Sequence, residues 1–145
     1  MKYNNLQHIK STFTKQISPN HCGLACLCTI VKYYGGITTQ EKLQKELKGP
    51  SLYSLLELAQ SIGFEAKGFK AEIENLKELK DPVILYVLNE QKQGHYIVCF
   101  GYNNERFILS DPSWGLIEYR TFELEAIWAS GILLTLKPDE NFETK

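Results

Sequence analysis

The sequence predicts an α+β fold, an N-terminal helical half packed on a C-terminal antiparallel sheet, and three observations carry that prediction. Apolar residues recur at helical spacing as far as Ile62, whereas from Phe64 onward β-branched and aromatic runs dominate. The runs His95–Tyr102 and Arg106–Ser110 flank Asn103-Asn104-Glu105 and read as a hairpin, which sets an antiparallel sense. With 145 residues, 43% of them hydrophobic and 23% charged, the chain has the composition of a globule with one core. Residues 1–137 are therefore read as one domain and residues 138–145 as a polar tail or the start of a linker.

Residues 1–21 read as an irregular lead-in that ends in the turn cluster Ser18-Pro19-Asn20. In the segment that follows, Leu24, Leu27, Cys28 and Val31 lie at i, i+3, i+4 and i+7. This predicts a helix that starts near Cys22 and is stopped by Gly35-Gly36. Thr38 and Glu41 stand at capping-box spacing before a short helix with Leu43 and Leu47 as its buried stripe, ended by Gly49-Pro50. Ser51 caps a third helix whose face is Leu52, Leu55, Leu56, Ala59 and Ile62, with Gly63 as its stop. Beyond it, Phe64–Lys70 reads as a strand, Ile73–Leu79 as a short helix, and Pro82–Leu88, apolar on both faces, as a central strand. After the hairpin, Leu116–Tyr119 and Ile132–Leu136 read as strands joined by a helical crossing over Phe122–Trp128.

Sixteen Lys and Arg against seventeen Asp and Glu give a net charge of −1 with no basic run, so nucleic acid is not an expected partner. No stretch reaches the roughly 18 apolar residues of a membrane span, and direct membrane insertion is not expected either. The N-terminus is polar and broken by Lys2, Lys10 and Lys15, without the apolar segment of a secretory signal, which points to a cytoplasmic location. In a reducing compartment Cys22, Cys26, Cys28 and Cys99 are expected as free thiols.

A cysteine in the first turn of a helix sits where unpaired backbone N–H groups and the macrodipole favour thiolate, and Cys22 has that placement. Cys26 and Cys28 come later in the same helix and read as small core residues. A thiolate nucleophile needs a base. His8 lies in the polar lead-in, and His21 is adjacent to Cys22 but points away from it. His95 opens a rigid strand after Gly94 and is the better candidate. Asp111, at the end of the next predicted strand, offers a carboxylate to orient the imidazole. A hairpin loop of three residues, Asn103 to Glu105, makes Ile97 face Asp111 and sets His95 and Asp111 as same-face diagonal neighbours. A two-residue loop of Asn103-Asn104 throws them onto opposite faces, so the catalytic reading requires an odd-length loop. Gln16, six residues before Cys22 and beyond the Pro19 turn, is spaced to fold back and aim its amide at the same point as the Cys22 backbone N–H.

Taken together, Gln16-Ile-Ser-Pro-Asn-His-Cys22-Gly23-Leu-Ala-Cys26-Leu27, Gly94-His95-Tyr96-Ile97-Val98, and Asp111-Pro112 with Gly115 resemble the bacteriocin-processing cysteine peptidases. These are the papain-like leader peptidase domains of ATP-binding-cassette exporters, and the resemblance runs from Gln16 to about Leu136. It implies a papain-like fold, with Cys22 as nucleophile, His95 as general base and acid, Asp111 as the orienting residue and Gln16 as the side-chain donor of the oxyanion hole. It also implies the substrate, a precursor peptide with a helical leader cut after a double-glycine type site, and it needs no metal or organic cofactor. Exporter transmembrane and ATPase domains are the further partners it implies, with a location at the cytoplasmic face of the inner membrane if the chain is part of a full exporter. Helix-in-groove binding of the leader would draw on residues such as Leu52, Tyr53 or Leu56, for which core packing is the competing role. One departure is His21, where the family usually carries an acidic residue before the nucleophile.

Three other readings compete with this one. A catalytically silent copy would bind leaders for an exporter without cutting them, but such copies usually lack at least one of the four residues. A zinc site of His21, Cys22, Cys26 and Cys28 would need ligands that project from different faces of one helix. A related acyl transferase or amidase would need a small-molecule pocket beside the same triad.

Overall fold

In the computed structural model, which describes residues 5–144, helices α1 (Leu6–Thr12), α2 (Cys22–Tyr33), α3 (Gln40–Glu46) and α4 (Leu52–Ser61) precede the first strand. The rest of the chain forms β1 (Phe64–Lys70), α5 (Ile73–Leu76), β2 (Val83–Leu88), β3 (Gly94–Asn103), β4 (Arg106–Asp111), β5 (Gly115–Tyr119), α6 (Thr121–Ile127) and β6 (Ile132–Pro138). The six strands make one sheet in the order β1-β6-β2-β3-β4-β5, and every pairing is antiparallel. The α+β reading therefore holds. β2 is central as its doubly apolar sequence requires: Ile84 faces one core and Val83, Leu85 and Val87 the other.

The first core lies between the sheet and helices α2, α3 and α4, where Leu24, Leu27, Ile30 and Leu55 meet Ile84, Val98, Phe100 and Leu134. The second lies on the opposite face, where α5 and α6 lay Leu76, Leu124 and Trp128 over Leu85, Ile97, Cys99, Phe107 and Leu109. α2 is buried from Gly23 to Val31, so the helix that begins with Cys22 is held by packing along its length, with part-exposed residues only at its two ends.

The structure corrects four local expectations. The lead-in is not irregular throughout: α1 forms within it because Ile9 and Thr12 bury against the rest of the fold, and its seven residues depend on that packing. The first four residues of the lead-in, like Lys145 of the tail, lie outside the described residues. Thr39, one residue later than the capping box predicts, is the N-cap of α3, its hydroxyl accepting from Lys42 N at 3.1 Å. The reading of residues 138–145 as a polar tail does not hold for Phe142, whose ring packs 4.9 Å from the Phe64 ring while Asp139 N donates to Gly63 O at 2.8 Å. Gly63 has a φ of +103° and its Cβ position lies 2.5 Å from the Phe142 Cα, so the stop of α4 is also the seat of this segment.

The fourth correction concerns the hairpin. Its loop has two residues, Asn104 and Glu105, both left-handed with φ of 52° and 63°, and Asn103 pairs with Arg106. That register, continued unchanged, would put Asp111 opposite Val98 and on the other face from His95. A bulge at Phe100 intervenes between the Gly101–Ile108 pair and the Cys99–Leu109 pair, and Gly101 takes a φ of +138° there. The bulge supplies the extra residue, Val98 pairs with Ser110, and the strand ends meet in the register that an odd loop would have given. An odd-length loop is thus not required.

Candidate active site

Each of the four candidate residues is positioned by a different element. Cys22 is the first residue of α2, following a 3₁₀ turn, Pro19–His21, that Pro19 opens with its fixed φ. Its backbone N–H belongs to the first turn and has no acceptor within the helix. His95 is the second residue of β3 and is 8% exposed, and Asp111 is the last residue of β4. Gln16 lies on the segment before the 3₁₀ turn.

His95 Nε2 and Asp111 Oδ1 are 2.7 Å apart. The same oxygen accepts from Ser113 N at 2.9 Å and from the Ser113 hydroxyl at 2.8 Å, so the carboxylate is held in a tight turn. Engagement of Nε2 leaves Nδ1 as the imidazole nitrogen for the Cys22 thiol, which contacts the ring and the Tyr96 backbone N–H.

Burial works against charge on all three groups, and their mutual contacts outweigh it. Burial alone would raise the Cys22 thiol, but the His95 imidazole and the backbone N–H groups of Tyr96 and Gly23 bring it below the ordinary thiol value. Burial alone would lower His95, yet Asp111 and Cys22 raise it to about 9. Burial opposes ionisation of Asp111 too, and His95 and Ser113 reverse that, so its carboxyl stays below the usual range. These contacts bias the pair toward thiolate facing imidazolium, and its two protons are coupled. Burial pushes the other thiols the opposite way: Cys26 well up, Cys28 to about 11 and Cys99 to about 12. All four cysteines are free. Among the described residues, no group of three or more His, Cys, Asp and Glu side chains is placed to hold a metal.

Gln16 reaches the site by its backbone and its side chain. Its N–H donates to Pro112 O at 2.9 Å, tying it to the turn that follows Asp111, and it lines the cleft that also holds His95. Its Oε1 is buried without a partner. Sequence reasoning overlooked the residue that holds this segment. Gln40, 6% exposed at the start of α3, donates through Nε2 to Lys15 O at 2.7 Å and accepts from Ile17 N at 3.1 Å, bracketing Gln16 on both sides. No sequence signal marked it, because the burial that makes its two hydrogen bonds obligatory exists only in the folded chain.

Two clefts flank the Cys22–His95 pair. One, of about 300 Å³, is walled by Cys22, Gly23, Pro50, Leu55, Tyr86 and Tyr96. It is narrow for identifiable reasons: the Tyr86 and Tyr96 rings are 5.4 Å apart, and the Gly94 Cβ position would lie 2.2 Å from the Tyr86 hydroxyl. The other, of about 650 Å³, contains His95, Asp111, Gln16 and Trp114. Leu52 and Leu56 pack against the first core, and Tyr53 is exposed. No helix among the described residues is long and apolar enough to cross a membrane.

Comparison with known proteins agrees with this architecture. The model of the Peptidase C39 family matches residues 10–141. The lactococcin-G-processing and transport ATP-binding protein LagD of Lactococcus lactis is 33% identical over 129 residues, 84% of this chain and 18% of that protein. The transport/processing ATP-binding protein ComA of Streptococcus pneumoniae is 28% identical over 142 residues, 92% of this chain and 20% of that protein. The chain thus spans about a fifth of the length of these relatives. Among solved structures, the peptidase domain of Streptococcus ComA superimposes with a TM-score of 0.80 at 27% identity, covering 88% of this chain and 98% of that one. A double glycine motif protease from an AMS/PCAT transporter, in complex with its leader peptide, gives 0.77 at 26% identity over 87% and 90% of the two chains.

Proposed function

The chain belongs to the Peptidase C39 family, and from that premise we propose that it is a cysteine endopeptidase that removes double-glycine type leaders from precursor peptides. The observation that carries this reading is the continuous line from the thiol to the imidazole to the carboxylate, with the thiol shifted toward thiolate and the imidazole toward imidazolium. Such a bias prepares a nucleophile and its acid partner together.

Cys22 thiolate attacks the carbonyl carbon after the second small residue. The oxyanion forms beside the backbone N–H of Cys22 and the Gln16 amide, and collapse of the tetrahedral species breaks the C–N bond as His95 protonates the leaving nitrogen. Water, deprotonated by His95, then resolves the thioester. The narrow cleft beside Cys22 supports small residues at the cut, since Tyr86, Tyr96 and Leu55 leave little room for side chains. Relatives whose names join processing with transport support a further point of this reading, that the domain acts beside exporter transmembrane and ATPase domains, which would place it at the cytoplasmic face of the membrane.

The test is incubation with a set of double-glycine leader peptides, followed by mass, beside Cys22→Ala and His95→Ala. Cleavage at the leader junction by the unaltered protein and its loss in both folded variants is the expected result. Equal products from the unaltered protein and Cys22→Ala would overturn it.

A further inference from the structure

The larger cleft, of about 650 Å³, has no part in the account above beyond the residues it shares with the triad. Acyl transfer fixes what enters it. When the C–N bond breaks, the carbonyl carbon stays on the Cys22 sulfur and the proton of the imidazolium passes to the departing nitrogen, so the leaving peptide must lie on the imidazole side. His95 and Asp111 line the larger cleft and Cys22 does not, whereas Cys22 lines the smaller one and His95 does not. The two clefts therefore divide the substrate at the scissile bond.

We propose that the larger cleft is the binding site for the first residues of the released peptide, and that Trp114 makes it select an apolar or aromatic side chain immediately after the cut. This inference rests on the peptidase reading and extends it from the leader to the cargo. The Trp114 side belongs to an exposed indole, 79% accessible, and Leu88, 40% accessible, lines the same cleft together with Ile117, Tyr119 and Ile127. Large apolar side chains left this open beside a reacting centre are the type that recognition sites use, because an indole offers rigid contact area with little rotamer entropy to lose. The Trp114 main chain is also anchored beside the triad: its backbone N–H donates to the Asp111 backbone carbonyl at 3.0 Å, closing the turn in which Ser113 holds the Asp111 carboxylate. The facing loop is preorganised by Asn89, whose Oδ1 accepts from Gln91 N and Gln93 N, both at 2.9 Å. Its backbone and amides form a polar rim for the extended main chain of the product.

The test uses peptides identical through the double glycine that carry Trp, Leu, Gly, Lys or Asp at the next position, with kcat/KM measured for the unaltered chain and for Trp114→Ala. Trp and Leu should exceed Asp by roughly tenfold, the scale of apolar pocket discrimination, and Trp114→Ala should reduce that ratio to near one. Because Trp114 is exposed, its removal does not open the core. Equal rates across the series, with cleavage intact, would overturn the subsite and leave the peptidase reading standing. The same holds if Trp114→Ala alters discrimination only when leader residues are varied, which would assign the cleft to the leader. Absence of cleavage of every peptide would overturn both.

Discussion

Replacing Gln40 by Ala removes no group that touches the reacting atoms, yet it should slow catalysis, because Gln40 holds the backbone on either side of Gln16. Two hydrogen bonds disappear, one at 2.7 Å and one at 3.1 Å, which at about 0.5–1.5 kcal/mol each puts the stability loss at roughly 1–3 kcal/mol. For a domain of this size that is a fall in Tm of roughly 3–10 °C. The ceiling on the catalytic effect is the loss of one oxyanion donor, roughly 10²–10³ in kcat. Gln16 keeps its own backbone bond to Pro112 O, so displacement is partial and about a tenfold drop in kcat with little change in KM is expected. The assay is a kinetic double-mutant cycle on a leader peptide with Gln16→Ala, Gln40→Ala and the double variant, each checked for folding by thermal melt. If Gln40 acts through Gln16, its removal costs nothing further once Gln16 is Ala. Independent, multiplying losses would refute the positioning role, and an unchanged kcat beside a lowered Tm would reduce Gln40 to a purely structural clamp.

Other outcomes follow from the same site and scaffold. The pH–rate profile should fall on the alkaline side as pH rises through about 9, where His95 loses its proton, and Asp111→Asn should move that limb toward lower pH because the carboxylate is what favours the imidazolium; an unmoved limb would argue against the assignment. Iodoacetamide near neutral pH should label Cys22 well ahead of Cys26, Cys28 and Cys99, as read by peptide mass mapping, and equal labelling would count against the activated thiol. Phe142→Ala should lower stability by about 2 kcal/mol, less than for a fully buried ring, with cleavage kinetics unchanged well below Tm. Gly101→Val should cost about 1–3 kcal/mol through backbone strain at the bulge and reduce activity beyond what its melting curve explains, because the bulge sets the meeting of His95 and Asp111.

Periodic, strongly apolar segments were legible from sequence. The α2 stripe, the Ser51 cap of α4, the bounds of β1 and the central place of β2 all follow from local patterns that tertiary packing reinforces. What escaped was set by contacts distant in sequence. α1 has too few apolar residues to announce itself and forms because Ile9 finds a buried place, and Phe142 reads as part of an acidic tail until Phe64 and Gly63 are brought beside it. The candidate residues Cys22, His95, Asp111 and Gln16 were picked out by type, placement and resemblance, and the structure brings the first three into contact. Gln40 and Trp114 were not, because a glutamine and a tryptophan carry no chemical signature until their neighbours are known. The hairpin is the instructive case: the required facing of His95 and Asp111 was inferred correctly and the device that achieves it was not, since turn geometry at Asn104-Glu105 favoured two residues and the adjustment was moved into β3.

The bulge has an evolutionary corollary. The facing of His95 and Asp111 is set by the residues that pair in β3 and β4, not by the number in the turn: an insertion confined to Asn104-Glu105 leaves every pair in place, whereas an extra residue within either strand preserves the facing only if it is bulged out of the ladder as Phe100 is. Removal of Phe100 would join the Cys99–Leu109 and Gly101–Ile108 pairs into a regular ladder with the same facing, so functional sequences of this shape should vary in length at the turn and at the bulge, and an unbulged length change within either strand should appear only in copies that no longer cut.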